Sequence, residues 1–268
     1  MIIRCDSNWL EEIFDYISDE YERTLYIYVD IKKYGLNSEE IIVWVDYSND
    51  KINLIIMLYH TGMHLLSKEV SFNELDLTKL IEEVKPTMIF AEEKLIFKIK
   101  DNLTCYKMMS GTLKKMNRNT QFTVSSRVKQ ATLQDIPEMT KMLFKDKELM
   151  ASYSVEEMEN QLRTRMQDVY GRSFIISDGE KIIAQASTAA EIDNIAIVAA
   201  VITDQEYRGQ GLFGEILNTI CYNLAKTSEI YLYCYGDTLS EFYDKYGFYT
   251  ALNWGKLYID VANHEENI

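Results

Sequence analysis

Proline is nearly missing from this 268-residue chain, which has only Pro86 and Pro137, and glycine is sparse at eleven residues. Domain boundaries are therefore not marked by linkers rich in either residue. Cysteine is limited to Cys5, Cys105, Cys221 and Cys234, with no Cys-x-x-Cys pair and none near a histidine in sequence, which speaks against a disulfide framework or a zinc site. Histidine occurs only at 60, 64 and 264. His60 and His64 have the spacing of a helical metal pair but flank Thr61-Gly62 in a predicted hairpin, so no metal is expected, and a histidine-based triad is disfavoured. No segment approaches the roughly 18 uninterrupted apolar residues of a membrane span. The first residues, Met1-Ile2-Ile3-Arg4-Cys5-Asp6, meet charge at once and lack an apolar signal core. A cytoplasmic setting without membrane attachment is expected. Positive charge is also short: 28 Lys+Arg against 42 Asp+Glu leave a net charge of −14. Such a surface repels phosphate backbones and anionic lipid, so nucleic acid is not an expected partner, whereas a basic substrate such as an amine is compatible.

What is present is the balance of a globular protein, with 47% hydrophobic and 26% charged residues. The length suits one large domain or two small ones. The most polar mid-chain stretch, 114–121, reads as a linker, which divides the chain into residues 1–120 and 121–268. The first part is predicted to hold helices over 8–17 and 75–84, the latter stopped by Pro86. Strands are predicted over 24–28, 41–47, 51–60 and 88–99, with Asn49-Asp50 as a hairpin turn. In the second part a strand over 127–132 is followed by a helix with Asp135 as N-cap. A second helix opens on the capping-box spacing of Ser154 and Glu157 and runs to about 170. Strands over 173–177 and 182–190 are joined at Asp178-Gly179 and followed by a long strand over 194–203. A glycine loop, a helix over 212–226, a strand over 230–235, a short helix over 239–246 and a final strand pair to 259 complete the order. The fold class is α+β, a mixed and mostly antiparallel sheet with helices on both faces.

The loop reads Thr203-Asp204-Gln205-Glu206-Tyr207-Arg208-Gly209-Gln210-Gly211-Leu212-Phe213-Gly214. It joins an apolar strand to an amphipathic helix, whose first turn offers unpaired N–H groups and partial positive charge. Glycines there let the backbone close on a phosphate without a Cβ in the way, and Arg208 adds a full charge. Gly209, Gly211 and Gly214 also match the GxGxxG dinucleotide fingerprint, with Asp237 placed 23 residues after Gly214 for a ribose. That reading is disfavoured because five polar residues separate the strand from the glycines and an antiparallel meander precedes them.

Tyr207-Arg208-Gly209-Gln210-Gly211-Leu212 resembles the acyl-CoA pyrophosphate loop of the GCN5-related N-acetyltransferase (GNAT) family, Arg/Gln-x-x-Gly-x-Gly/Ala. About thirty residues on, Glu241-Phe242-Tyr243-Asp244-Lys245-Tyr246-Gly247-Phe248 resembles that family's FYxKxGF segment. The resemblance covers 127–259 in element order and is closest to the FR47-like branch, some members of which carry an N-terminal half of similar fold without the cofactor loop. Residues 1 to about 115 are accordingly expected to form a degenerate GNAT-like half. Two departures stand out: Phe213 occupies the last Gly/Ala position of the loop, and Gly236 stands where the family often has Asn, with Asp237 expected to cap the short helix.

The resemblance implies that acetyl-CoA serves as acyl donor between two strands that splay apart. Val201, Ile202 and Thr203 would pair with its pantetheine arm. Arg208, Gly209, Gln210, Gly211, Leu212 and Phe213 would hold the pyrophosphate, with Gly236 beside the arm. A small-molecule or peptide amine would attack the thioester directly, with Tyr243 as general acid to the leaving thiolate. No carboxylate lies within 194–203; Glu191 and Asp193 sit just before it, and the general base stays unassigned. Acceptor specificity is expected in 139–170 and at the face between the two halves, and a homodimer stays open. An alternative is a GNAT-like module that binds acyl-CoA or a protein without turnover.

Overall fold

The computed structural model describes residues 1–145, 154–167 and 170–259. They form two compact units, one of Met1–Leu113 together with the described residues from Thr250 onward, the other Lys114–Tyr249. This differs from a division at 120/121 in two ways. The polar stretch at 114–116 is the end of a strand, not a linker. The last strand also returns to the first unit, because its partner, the strand Met88–Glu92, is more than 150 residues away in sequence. Neither hydropathy nor turn chemistry reports a pairing of that range.

In chain order the first ten elements are β1 (Ile2–Arg4), α1 (Leu10–Ile17), α2 (Leu25–Tyr34), β2 (Ile41–Ser48), β3 (Lys51–Tyr59), β4 (Gly62–Leu66), α3 (Glu74–Val84), β5 (Met88–Glu92), α4 (Glu93–Ile99) and β6 (Lys107–Met116). The next ten are β7 (Lys129–Gln130), α5 (Ile136–Leu143), α6 (Val155–Gln167), β8 (Ser173–Asp178), β9 (Lys181–Ile192), β10 (Ile195–Thr203), α7 (Leu212–Leu224), β11 (Glu229–Tyr235), α8 (Asp237–Asp244) and β12 (Phe248–Tyr258). Both sets follow the same order, β-α-α-β-β-β-α-β-α-β. The pairings repeat as well. β1·β2, β2·β3 and β3·β4 are antiparallel and β4·β5 parallel; β7·β8, β8·β9 and β9·β10 are antiparallel and β10·β11 parallel.

Alternation along the strands puts apolar residues on both faces of each sheet. In the first unit Ile52, Ile55 and Met57 join Ile13, Ile17, Ile27 and Ile31 of α1 and α2, whereas Leu54 and Ile56 join Leu77, Ile81, Leu95 and Ile96 of α3 and α4. In the second, Phe174 and Ile176 pack with Ile216, Leu217 and Ile220 of α7, while the intervening Ile175 packs with Met139, Met142, Met158 and Leu162 of α5 and α6. The mixed sheet with helices on both faces is therefore present in each unit.

Turn chemistry sets the registers. Asn49 and Asp50 both adopt positive φ (54° and 55°), which closes Ser48 on Lys51 in a two-residue hairpin, and Gly179 (φ 60°) does the same between β8 and β9. Ser154 and Glu157 form the expected capping box, the Glu157 N–H donating to Ser154 Oγ (3.2 Å) and the Ser154 N–H to Glu157 Oε2 (2.7 Å). Its helix is described to Gln167, and residues 168–169 lie outside the described residues. Asp135 acts one turn earlier than expected, in a capping box with Thr132.

Three segments depart from their propensity. Residues 24–28 are the start of α2, not a strand: Ile27 and Ile31 lie one helical turn apart and both enter the core, so burial overrides β-branched preference. Residues 88–99 split into β5 and α4, where Leu95, Ile96 and Ile99 follow helical spacing. The final strand pair is one long strand, β12. Among the described residues no helix is long and apolar enough to cross a membrane.

Candidate functional site

The parallel strands β10 and β11 are in register from Ile195–Glu229 to Val198–Leu232. β10 then runs on to Thr203 and β11 to Tyr235 with no further register between them. A bulge against β9 between Ala199 and Ile202, with Ala200 at φ 52°, bends β10 at the point of parting. Val201, Ile202 and Thr203 are half-buried on this diverging arm, and the Thr203 Oγ1 is buried without a hydrogen-bond partner. Main-chain groups on the β11 side of the arm are thus available to an extended ligand, at the carboxyl ends of parallel strands where open sheets bind ligands.

The chain next makes a short 3-10 turn, Gln205–Tyr207, and enters the glycine loop. Gly209 (φ 77°) and Gly211 (φ 80°) are left-handed and exposed, and a Cβ built on either meets nothing within 4 Å. Gly211 is the N-cap of α7 and supplies no side-chain cap. Intrahelical bonding begins where the Glu215 N–H donates to the Gly211 carbonyl (3.1 Å), which leaves the amides of Leu212, Phe213 and Gly214 in the uncapped first turn. Arg208 is exposed beside them, its Nε donating to the Thr203 carbonyl (3.4 Å), and Gln210 is exposed as well. Leu212 is buried and anchors the helix start. The result is an uncapped helix start with exposed glycines and a guanidinium beside it, donors of the kind that suit a diphosphate.

The Phe213 side chain is engaged by an aromatic cluster. Its ring packs on Phe242, Tyr243 and Tyr246, at centroid distances of 4.9, 5.7 and 5.8 Å. Gly214 has its own reason for being glycine, since an added Cβ would lie 2.7 Å from the Tyr246 hydroxyl oxygen. The third glycine of the apparent dinucleotide fingerprint thus accommodates a tyrosine. Tyr246 was not singled out in the sequence; the FYxKxGF segment that contains it was the available signal.

Tyr243 is buried, 6% exposed, within the core that includes Cys221, Cys234 and Phe248. Burial first, then the neighbouring Cys234 and Cys221 thiols, push its phenol far above the ordinary range. The phenol therefore keeps its proton at neutral pH. Gly236 (φ 78°) is exposed and is itself the N-cap of α8, which places Asp237 in the first turn and not at the cap.

Glu191 does not qualify as a free base. It accepts from Arg172 Nε at 3.0 Å and Nη2 at 2.7 Å, and from Thr188 Oγ1 at 2.8 Å. Glu191 lies near the end of β9 and Asp193 in the turn before β10, at the end away from the loop. The four cysteines are thiols outside any disulfide, and Cys5, Cys221 and Cys234 are buried. His60 and His64 flank the β3–β4 hairpin; His64 is buried and neutral, its pKa lowered by desolvation to about 4. His264 lies outside the described residues, among which no group of His, Cys, Asp and Glu could hold a metal. Of the segment 139–170, residues 146–153 and 168–169 are likewise outside.

No family model matches the chain, and no curated protein matches it in sequence. Solved structures do resemble it. A GCN5-related N-acetyltransferase from Sphaerobacter thermophilus superposes with a TM-score of 0.63 at 9% identity, over 96% of this chain and 94% of that one. A GNAT-family acetyltransferase from Colwellia psychrerythraea gives 0.60 at 11%, over 97% and 100%. A tandem GNAT protein from the clavulanic acid biosynthesis pathway, described without AcCoA, gives 0.59 at 10%, over 96% and 97%. The chain therefore has the GNAT acetyltransferase fold over nearly its whole length.

Proposed function

We propose that the chain is an acyl-CoA-dependent N-acyltransferase that moves acetyl from acetyl-CoA to a primary amine by direct attack in a ternary complex, in the cytoplasm. The observation that carries this reading is the uncapped start of α7, with Gly209 and Gly211 held open in left-handed geometry, directly after two parallel strands that part. The acyl-CoA diphosphate occupies the amides of Leu212, Phe213 and Gly214, with Arg208 over it. The pantetheine arm pairs with Val201, Ile202 and Thr203 and passes Gly236. The amine nitrogen attacks the thioester carbonyl; the C–N bond forms, the C–S bond breaks, and the nitrogen proton ends on the departing sulfur. Tyr243, as a hydrogen-bond donor, stabilises the charge that develops on that sulfur.

One observation favours a second reading, an acyl-CoA-binding module without turnover: the buried core position of Tyr243. Thiol release from acetyl-CoA, followed with a panel of polyamines, amino acids, aminoglycosides and peptide N-termini, separates the two. Amine-dependent release with formation of the acetylated amine is expected. CoA binding with no release for any amine leaves the binding module, and failure to bind CoA removes both.

A further inference from the structure

The root of the glycine loop is tied down by one buried carboxylate. Asp204 follows β10 directly and its side chain is 3% exposed. Its Oδ2 accepts from Lys145, two residues past α5, at 2.5 Å, and from Lys181, at the start of β9, at 3.1 Å. Its Oδ1 accepts from the Glu206 N–H (3.1 Å) and caps the turn Gln205–Tyr207. Its backbone N–H donates to the Ile183 carbonyl (2.9 Å), and its carbonyl accepts from the Tyr207 N–H (2.9 Å). A second layer of contacts reinforces the first. Lys181 bonds Glu206 (2.9 Å) and lies 4.9 Å from the Tyr207 ring centroid, and the Tyr207 hydroxyl donates to Asp178 (2.9 Å).

Asp204, Glu206 and Tyr207 are in this way fixed to Lys145, to the end of β8 and to β9. Arg208 and Gly209 come immediately after, and their left-handed and extended geometries leave the backbone with few restraints of its own. A carboxylate four residues before Arg208 would repel a bound diphosphate if exposed, but two ammonium groups compensate this one.

We propose that Asp204 is a positioning residue for the diphosphate loop, holding residues 205–211 in the shape that receives acyl-CoA. This rests on the reading of the loop as a CoA site. The side chain touches neither the cofactor nor the reacting atoms; it acts by fixing where Arg208 and the α7 amides begin. The lysines that flank it, one from each side of the loop root, make its removal felt at both. Sequence reading passed over Asp204 as one of five polar residues between strand and glycines, since its burial and both of its partners are set by tertiary structure.

The test is the full chain carrying Asp204→Asn, which keeps an oxygen for the Glu206 N–H and loses both ion pairs. Calorimetry with CoA is expected to show at least a tenfold weaker Kd. In turnover, KM for acetyl-CoA should rise while kcat and KM for the amine stay put. Lys181→Met should give part of the loss. Ser187→Ala, which removes the buried Ser173–Ser187 hydrogen bond (2.9 Å) in the same unit, serves as a control for general loosening and should leave Kd unchanged. Asp204→Asn binding CoA within twofold of the parent, or Ser187→Ala weakening it equally, overturns the proposal. Should the parent bind no CoA, the functional reading fails, and amide hydrogen exchange over 205–211 still decides this one: faster exchange in Asp204→Asn supports the clamp, and unchanged exchange refutes it.

Discussion

Both repeats contain a parallel strand–helix–strand crossover, β4–α3–β5 and β10–α7–β11, and the two helices start differently. α3 begins after Asn73, whose Oδ1 accepts from the Asp76 N–H (3.2 Å) and whose Nδ2 donates to the Asp76 carboxylate (2.9 Å). Glu74 and Asp76 sit in its first turn, and the Asp46 carboxylate takes the Asn73 N–H (2.9 Å). The Asp76 amide is capped and the local charge is negative, so this helix start disfavours an anion. α7 begins after Gly211, with no side-chain cap, no acid in its first three residues, and Arg208 alongside. The seventh residue of the following helix differs too, Ile99 in α4 and Tyr243 in α8, both buried. The same backbone course thus carries a side-chain cap at α3 and none at α7. The activity proposed here resides in a handful of local substitutions on a duplicated frame, and the frame alone does not confer it.

Four changes would break or sharpen this contrast. The largest effect is expected from Gly211→Val combined with Arg208→Ala. A β-branched residue is strained at φ 80° and intrudes on the uncapped helix start, so CoA binding by calorimetry should vanish; retained micromolar binding would put the diphosphate elsewhere.

Acid should separate the units next. His64 is neutral in the folded first unit with a pKa of about 4, against about 6.5 unfolded. The unfolded chain then binds a proton that the folded chain refuses, so stability falls as pH drops from 6.5 to 4, by about 3 kcal/mol. Asp204, in the second unit, is held at about 2 chiefly by Lys145. Its contribution is intact above about 4 and is lost only as pH falls toward 2. Urea unfolding at stepped pH should show the first loss in the parent and its absence in His64→Phe.

Tyr243→Phe should lower turnover about tenfold, the scale of losing one donor to the leaving group, and leave CoA affinity nearly unchanged. Unaltered turnover would take the phenol out of the mechanism. The smallest effect belongs to Asn73→Ala, which should cost about 1 kcal/mol of stability as a lost cap and create no second CoA site, because Glu74 and Asp76 remain.

Much of the site was legible because it is local. Asn49-Asp50, Asp178-Gly179, Ser154/Glu157 and the Arg208–Phe213 loop each encode their geometry within a few residues. What escaped is non-local. Lys114 lies in the most polar mid-chain stretch, yet it is 1% exposed and donates to Asp244 at 2.6 Å. Its burial depends on a partner 130 residues away. The return of β12 to β5, the helical state of α2 and the clamp at Asp204 have the same origin, a tertiary neighbour that composition and periodicity do not name.

The stoichiometry of CoA binding tests the central claim most directly. Titration of CoA into the intact chain by calorimetry should give one site per chain, because of the two crossovers only β10–α7–β11 leaves its helix start open. Two sites of similar affinity, or none, would contradict the account.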